Sequence, residues 1–232
     1  MRILALDTST KSCSVGIVDD ESVLIEIVRV SPETHSKHLM GMIHTAIEFS
    51  GLTLTELDGF AVTQGPGSFT GLRIGLSSIK GLAVATGKPL VGVSSLDALA
   101  MQASFSTFLI CALLDARKGE VYCGRYRIEN GILKKETREM VCTPAIAVQD
   151  ITEPCVLAGD GASFYKQIIV DKIGGLSHFL PLNQNIIRAS TVARLAVTRF
   201  KRGESDEINT FAPNYIRKSD AEMKRKTKMA DI

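Results

Sequence analysis

Apolar and polar positions alternate in short blocks from the start of the chain. Residues 3–6 form an apolar run that stops at Asp7-Thr8-Ser9-Thr10, residues 14–18 resume it as far as Asp19-Asp20, and residues 23–30 add a third block. Runs of this length between polar turns predict three strands in an antiparallel meander. The period then changes. After Pro32-Glu33-Thr34, apolar side chains at Leu39, Met42, Ile43, Ala46 and Ile47 follow helical spacing and stop at Gly51. A strand at 59–63 leads into Gly65-Pro66-Gly67, then Ser68 as an N-cap and a helix from 69 to about 85, closed by Gly87 and Pro89. A strand at 90–93 follows, and Ser94-Ser95 caps a short helix through Ala103.

The second half repeats this plan. Ala112-Leu113-Leu114-Asp115 echoes Leu4-Ala5-Leu6-Asp7, and nine residues after each aspartate comes a glycine, Gly16 and Gly124. The stretch VTQGPGSF at 62–69 is echoed by LAGDGASF at 157–164. Two matches in the same order predict an internal duplication of a β-β-β-α-β-α unit. The second copy is expected to be trimmed, with a helix only at 144–150, and a last amphipathic helix is expected at 191–201. This divides the chain into an N-terminal lobe at 1–104, a C-terminal lobe at 105–212 and a basic tail at 213–232, the tail expected to be solvated.

Composition narrows the class. Hydrophobic residues make up 45% and charged residues 22% of 232, as in ordinary globular proteins. The net charge of +2 gives no global attraction to nucleic acid or membrane. Basic residues do gather late, at Arg217, Lys218, Lys224, Arg225, Lys226 and Lys228. The five cysteines are scattered without a Cys-x-x-Cys pair and read as buried thiols in a reducing compartment. The apolar run before Asp7 is too short for a secretory signal, and no run is long enough to span a bilayer, so a cytoplasmic protein is expected.

Four constellations could carry chemistry. Asp7, Thr8 and Ser9, with Gly65 and Gly67 before a helix, could cradle phosphate. Duplicated actin-like, sugar-kinase and Hsp70 ATPases hold nucleotide on such turns. The same residues could equally serve only to satisfy a tight turn and a sharp corner. The Ala-Arg-Lys after Asp115 lacks a second hydroxyl-rich turn, and no P-loop motif exists. His35, His38 and His44 flank the first helix but lack the His-Glu-x-x-His arrangement, and read as cap and surface residues. No Gly-x-Ser-x-Gly nucleophile elbow is present. Finally, the helix at 69–85 is apolar on two sides, with Leu72, Leu76, Ile79 and Ala83 on one stripe and Gly71, Gly75, Ser78 and Leu82 on another. Gly71 and Gly75 each cost about 1 kcal/mol of helix propensity against alanine. That cost fits close approach of another helix, from a partner or from within the monomer. This helix reads as a docking surface rather than an active site.

LALDTS at 4–9, THSKHL at 34–39, GPGSFTGLRIG at 65–75, Lys80-Gly81-Leu82-Ala83, GVSSL at 92–96, DARKGEVY at 115–122 and PNYIR at 213–217 together resemble the TsaB (YeaZ) family. The resemblance implies an α/β, duplicated actin/Hsp70-like (ribonuclease H-like) fold of two lobes. It implies work beside a catalytic paralogue, TsaD, and an ATPase, TsaE, in placing a threonylcarbamoyl group on adenosine 37 of tRNAs reading ANN codons. The paralogue's metal-binding histidines would fall at Ser95 and Leu99, which cannot replace them, so no metal site and no cofactor are expected. The implied role is a non-catalytic scaffold that reaches tRNA through the complex and forms a homodimer when alone. The implied pairing surface joins Leu39, Met42, Ile43 and Ala46 of the first helix to Leu72, Gly75, Leu76 and Ile79 of the second. The competing expectations are an independent ATP-binding enzyme, motivated by the Asp7 turn, and a metallopeptidase, which the missing histidines oppose.

Overall fold

The computed structural model describes residues 1–217. The opening meander forms as β1 (Arg2–Asp7), β2 (Ser12–Asp19) and β3 (Ser22–Val30), followed by α1 (Leu39–Ser50), β4 (Gly59–Gly65), α2 (Phe69–Thr86), β5 (Leu90–Ser94) and α3 (Ser95–Met101). The first sheet has the order β3-β2-β1-β4-β5. The first three strands pair antiparallel, while β4 and β5 join in parallel through helical crossovers.

The second half builds β6 (Leu109–Arg117), β7 (Glu120–Glu129), β8 (Ile132–Lys135), β9 (Met140–Cys142), α4 (Pro144–Ala147), β10 (Cys155–Ala158), α5 (Asp160–Phe164), α6 (Lys166–Ile173) and β11 (Ser177–Phe179). Its sheet runs β11-β10-β6-β7-β8, with β9 paired to β7. Strand for strand this is the first order again, with the same parallel and antiparallel senses. The architecture is a duplicated actin/Hsp70-like, ribonuclease H-like fold of two lobes.

Some boundaries differ from expectation. The helix expected at 144–150 stops at Ala147, and the single crossover helix of the first half is replaced by α5 and α6. The helix expected through Ala103 ends at Met101, and β4 continues into the glycine loop as far as Gly65. The last helix, α7 (Ala189–Lys201), packs on β1, β2, β4 and β5. Although it follows the second sheet in sequence, it completes the first.

Strand alternation sorts the cores. Ile3 and Ala5 of β1 face the same central core as Ile110, Ala112 and Leu114 of β6, together with α3 and Val192, Ala193 and Ala196 of α7. Leu4 and Leu6 face the outer layer of α1 and α2, and Leu109, Cys111 and Leu113 face the outer layer of α4 and α6. A polar cluster also joins the lobes. The Ser94 hydroxyl donates to Glu139 at 2.6 Å, and Lys135 sits 2.7 Å from Glu139 and 2.9 Å from Asp97. Burial, with Asp97 and Glu139 beside it, pushes the Tyr126 hydroxyl far above its ordinary pKa.

The glycines of α2 have a specific cause. A Cβ on Gly71 would lie 2.0 Å from the Thr8 carbonyl oxygen, and one on Gly75 would lie 2.3 Å from Thr8 Oγ1. The body that approaches this stripe is the β1–β2 turn, not another helix. Gly81 on the same helix has nothing within 4 Å of such a Cβ. Gly71→Ala is therefore expected to destabilise the protein by about 3 kcal/mol, since backbone must move. Gly81→Ala is expected to stabilise it by about 0.5–1 kcal/mol. Equal urea midpoints for the two variants would contradict this account.

Candidate functional site

Where β1, β4 and β6 end, the two lobes leave a cleft of about 300 Å³. Its first-lobe wall is the turn at Ser9, Thr10 and Lys11 and the start of α2 from Gly67 to Thr70. The second-lobe wall carries Asp115, Arg117, Lys118, Tyr122 and Asp160, and Tyr215 and Arg217 complete the rim.

The Asp7 turn is bound up in its own structure. Asp7 is fully buried, and its Oδ1 accepts from the Ser9 amide at 3.1 Å, the Ser9 hydroxyl at 2.6 Å and the Thr63 hydroxyl at 2.6 Å. The Thr8 hydroxyl donates to the Gly71 carbonyl at 2.8 Å. The Ser68 amide donates to the Ser9 carbonyl at 2.7 Å, and the Ser68 hydroxyl accepts from the Gly71 amide at 3.2 Å as an N-cap. Of the five residues named for a phosphate cradle, Ser9 and Gly67 reach the cleft wall. Asp7 and Thr8 lie behind it, and Gly65 sits at φ +121° against the Asn214 carbonyl.

The corresponding turn of the second lobe offers carboxylates. The Asp115 amide donates to Asp160 Oδ1 at 3.0 Å, and Asp115 Oδ1 accepts from the Arg117 amide at 2.9 Å and the Tyr165 hydroxyl at 3.3 Å. Burial raises the pKa of Asp160. A Cβ on Gly159 would lie 2.2 Å and one on Gly161 2.9 Å from the Leu113 carbonyl oxygen, as one on Gly67 would lie 2.3 Å from that of Ser9 and one on Gly71 2.0 Å from that of Thr8. The duplicated glycines thus have one duplicated task, passing a helix start over a strand end.

The other candidates separate in space. His35 Nε2 contacts the Thr10 carbonyl at 2.8 Å, His38 lies 2.7 Å from Glu33, and His44 is exposed on α1. Ser95 and Leu99 of α3 are both fully buried in the central core. Among the described residues no three His, Cys, Asp or Glu side chains cluster so as to hold a metal ion. Cys123 and Cys142 share a thiol hydrogen bond at 3.5 Å without a disulfide, and burial pushes the thiol pKa of Cys13 and of Cys123 up to about 12. Among the described residues no helix is long and apolar enough to cross a membrane.

The expected pairing surface needs correction. Leu39, Met42, Ile43, Ala46, Leu72, Gly75, Leu76 and Ile79 are all buried in the monomer, where α1 and α2 cover the outer face of the first sheet. Their helical spacing marks the stripe facing the sheet. The same helices turn Met40 (53% exposed), Phe49 (71%) and Val84 (67%) outward.

The tail also differs from expectation. Residues 213–217 are ordered along the cleft rim, where Tyr215 stacks on Phe69 at 4.8 Å and Arg217 pairs with Glu120 at 2.9 Å. The sequence signal was the aromatic and arginine in Asn-Tyr-Ile-Arg, hidden by the charge that follows. Lys218, Lys224, Arg225, Lys226 and Lys228 lie outside the described residues.

Residues 28–225 match the family model described as TsaD, tRNA N6-adenosine threonylcarbamoyltransferase. The chain is 30% identical to the tRNA threonylcarbamoyladenosine biosynthesis protein TsaB of Bacillus subtilis over 97% of each chain. It is 33% identical to TsaB of Escherichia coli, covering 94% of this chain and 95% of that one. The solved structure of YeaZ from Pseudomonas aeruginosa superposes with a TM-score of 0.80 at 31% identity, over 92% of this chain and 99% of that one.

Burial raises the Asp7 pKa against the hydrogen bonds that lower it. A raised folded-state pKa gives a stability contribution that is complete below the unfolded value and lost as pH rises through the folded one. Asp7→Asn keeps an acceptor for Ser9 and Thr63 without a buried charge. It is expected to raise the melting temperature more at about pH 7 than at about pH 4. A gain independent of pH would show that Asp7 has the same pKa folded and unfolded, against the rise that burial imposes.

Proposed function

The chain belongs to the TsaB family of tRNA threonylcarbamoyladenosine biosynthesis proteins, and we propose that it serves that modification as a non-catalytic subunit. Its partner in this reading is the catalytic TsaD-like paralogue, with a TsaE-like ATPase joining the assembly. tRNA is reached through the complex, and a second copy of this chain takes the partner's place when it is alone. The site of action is the cytoplasm.

The observation that carries the reading is the outer helical layer of the first lobe. Met40, Phe49 and Val84 hold large apolar side chains in water on α1 and α2, beside exposed Gly41 and Gly81, which leave room for a close neighbour. The cleft supports the non-catalytic half of the proposal. The hydroxyls of Thr8 and Ser9 are engaged by Gly71 and Asp7, and Asp115 and Asp160 stand where a second phosphate turn would be needed. At those two carboxylates a phosphate would meet like charge, while Lys11, Arg117, Lys118 and Arg217 bring cations to the same cleft. Ser95 and Leu99 supply no metal ligands on α3.

The competing reading, an ATP-binding enzyme in its own right, rests on Lys11 and the start of α2 at the cleft wall. Calorimetry of the isolated chain with ATP and Mg²⁺ separates the two. Micromolar binding with hydrolysis would require the scaffold reading to be abandoned. Depleting the protein in its host is expected to lower threonylcarbamoyladenosine in digested tRNA, and unchanged levels by mass measurement would remove the proposed role.

Met40→Asp with Val84→Asp is expected to weaken co-elution with the paralogue by at least about tenfold while the chain stays folded, because an unpaired charge is excluded from a packed interface. Leu76→Asp buries its charge in the monomer's own core and is expected to unfold the first lobe. Full pairing by the folded double variant would move the interface elsewhere.

A further inference from the structure

Beyond α7 the chain follows the margin of the first lobe from one strand end to the next. The Asp206 amide donates to the Leu90 carbonyl at 2.8 Å, and the Gly92 amide donates to Asp206 Oδ2 at 2.7 Å. The Phe211 ring occupies the space above Gly92, where a Cβ would come within 2.6 Å of it. Lys80 of α2 donates to the Phe211 carbonyl at 3.0 Å. The Asn214 amide then donates to the Gln64 carbonyl at 2.7 Å, at the end of β4.

At the mouth of the cleft the contacts change from backbone to side chain. Tyr215 stacks on Phe69 with an interplanar angle of 25°, and its hydroxyl accepts from Arg73 Nε at 3.1 Å. The Arg73 guanidinium lies 3.9 Å from the centre of the Phe69 ring. Two residues later the chain reaches the other lobe. Arg217 Nη1 donates to the Ala116 carbonyl at 3.2 Å and pairs with Glu120 at 2.9 Å. Glu120 starts β7, directly after the turn at Arg117 and Lys118, whose φ values are +61° and +56°.

We infer that residues 206–217 are a strap, anchored along the first lobe and, among the described residues, clasped to the second through Arg217, which sets how far the cleft opens. The anchors on Leu90 and Gln64 are backbone bonds and the one on Lys80 is its ammonium on a backbone carbonyl, so the first-lobe part is held at several points along the rim. Among the described residues the clasp is one side chain on one turn, and its release leaves the first-lobe anchors in place. Opening then separates the second-lobe turn at 115–118 from the start of α2, the two walls of the cleft. Tyr215 follows the first lobe and stays against Phe69. Met40, Phe49 and Val84, the outward apolar residues of α1 and α2, take no part in these contacts.

The test compares Arg217→Ala with Tyr215→Ala in the full chain by amide hydrogen exchange at neutral pH. With Arg217→Ala, amides at 115–120 are expected to exchange at least about tenfold faster while those at 64–72 stay protected. With Tyr215→Ala, both groups are expected to accelerate, because the strap loses its seat before the clasp. A distance distribution between spin-labelled non-canonical residues at Ser77 and Asp171, both exposed, is expected to broaden in either variant. Unchanged exchange at 115–120 in Arg217→Ala, or an unchanged distribution, would overturn the inference. Should Tyr215→Ala fail to fold, Tyr215→Phe is the substitute. It removes the Arg73 bond and keeps the stack, and unaltered exchange at 115–120 in Arg217→Gln would count against the strap.

Discussion

The contact between the β1–β2 turn and the face of α2 is the constraint on which the rest of the first lobe depends. A strand end and a helix can touch backbone to backbone only where no Cβ intervenes, and α2 with the loop before it provides Gly67, Gly71 and Gly75 at four-residue intervals. This brings Thr8 within hydrogen-bonding reach of the Gly71 carbonyl and places the Ser68 amide on Ser9. The same closeness draws Asp7 into the interior, where Ser9 and Thr63 must satisfy it. From that junction α2 lies flat on the sheet, Leu72, Leu76 and Ile79 fill the outer core, and the start of the helix forms one wall of the cleft.

Much of this could be read from the chain because the signals are local. Alternation in β1 and β6 follows from cores on both faces, and the repeated Asp and Gly-x-Gly positions announced two sheets of identical order. The harder matters depend on what lies opposite. Leu72, Leu76 and Ile79 look the same in sequence whether they face a partner or their own sheet. A glycine in a helix states that something approaches, without naming it. Here it is Thr8, sixty-three residues from Gly71. The outward Met40, Phe49 and Val84 escaped notice because isolated apolar residues on helices carry no periodicity of their own. The strap was obscured by net charge, since Arg217 opens a basic run yet is itself half-buried and paired.

The two lobes share a topology and have diverged in what they place at the strand ends. The first presents hydroxyls, with Ser9 bonded within the turn and Thr8 to α2, and the second presents Asp115 and Asp160. One long crossover helix in the first lobe corresponds to the shorter α5 and α6 in the second. The lobe with the long helix also carries the exposed apolar residues on its outside, so its crossover serves both the sheet beneath and the surface above.

The position of α7 bears on the order in which the molecule can be assembled during synthesis. Ile3, Ala5, Val18, Ala61 and Val91 are made early, but Val192, Ala193 and Ala196, which share their core, emerge only after the entire second lobe. Until then that face of the first sheet has only the short α3 as helical cover. A nascent chain halted between the lobes would therefore present an open apolar sheet face, the kind of surface that trigger factors and other holding chaperones recognise. The second lobe is in effect an insertion within the first, and the first lobe is completed last although it is begun first.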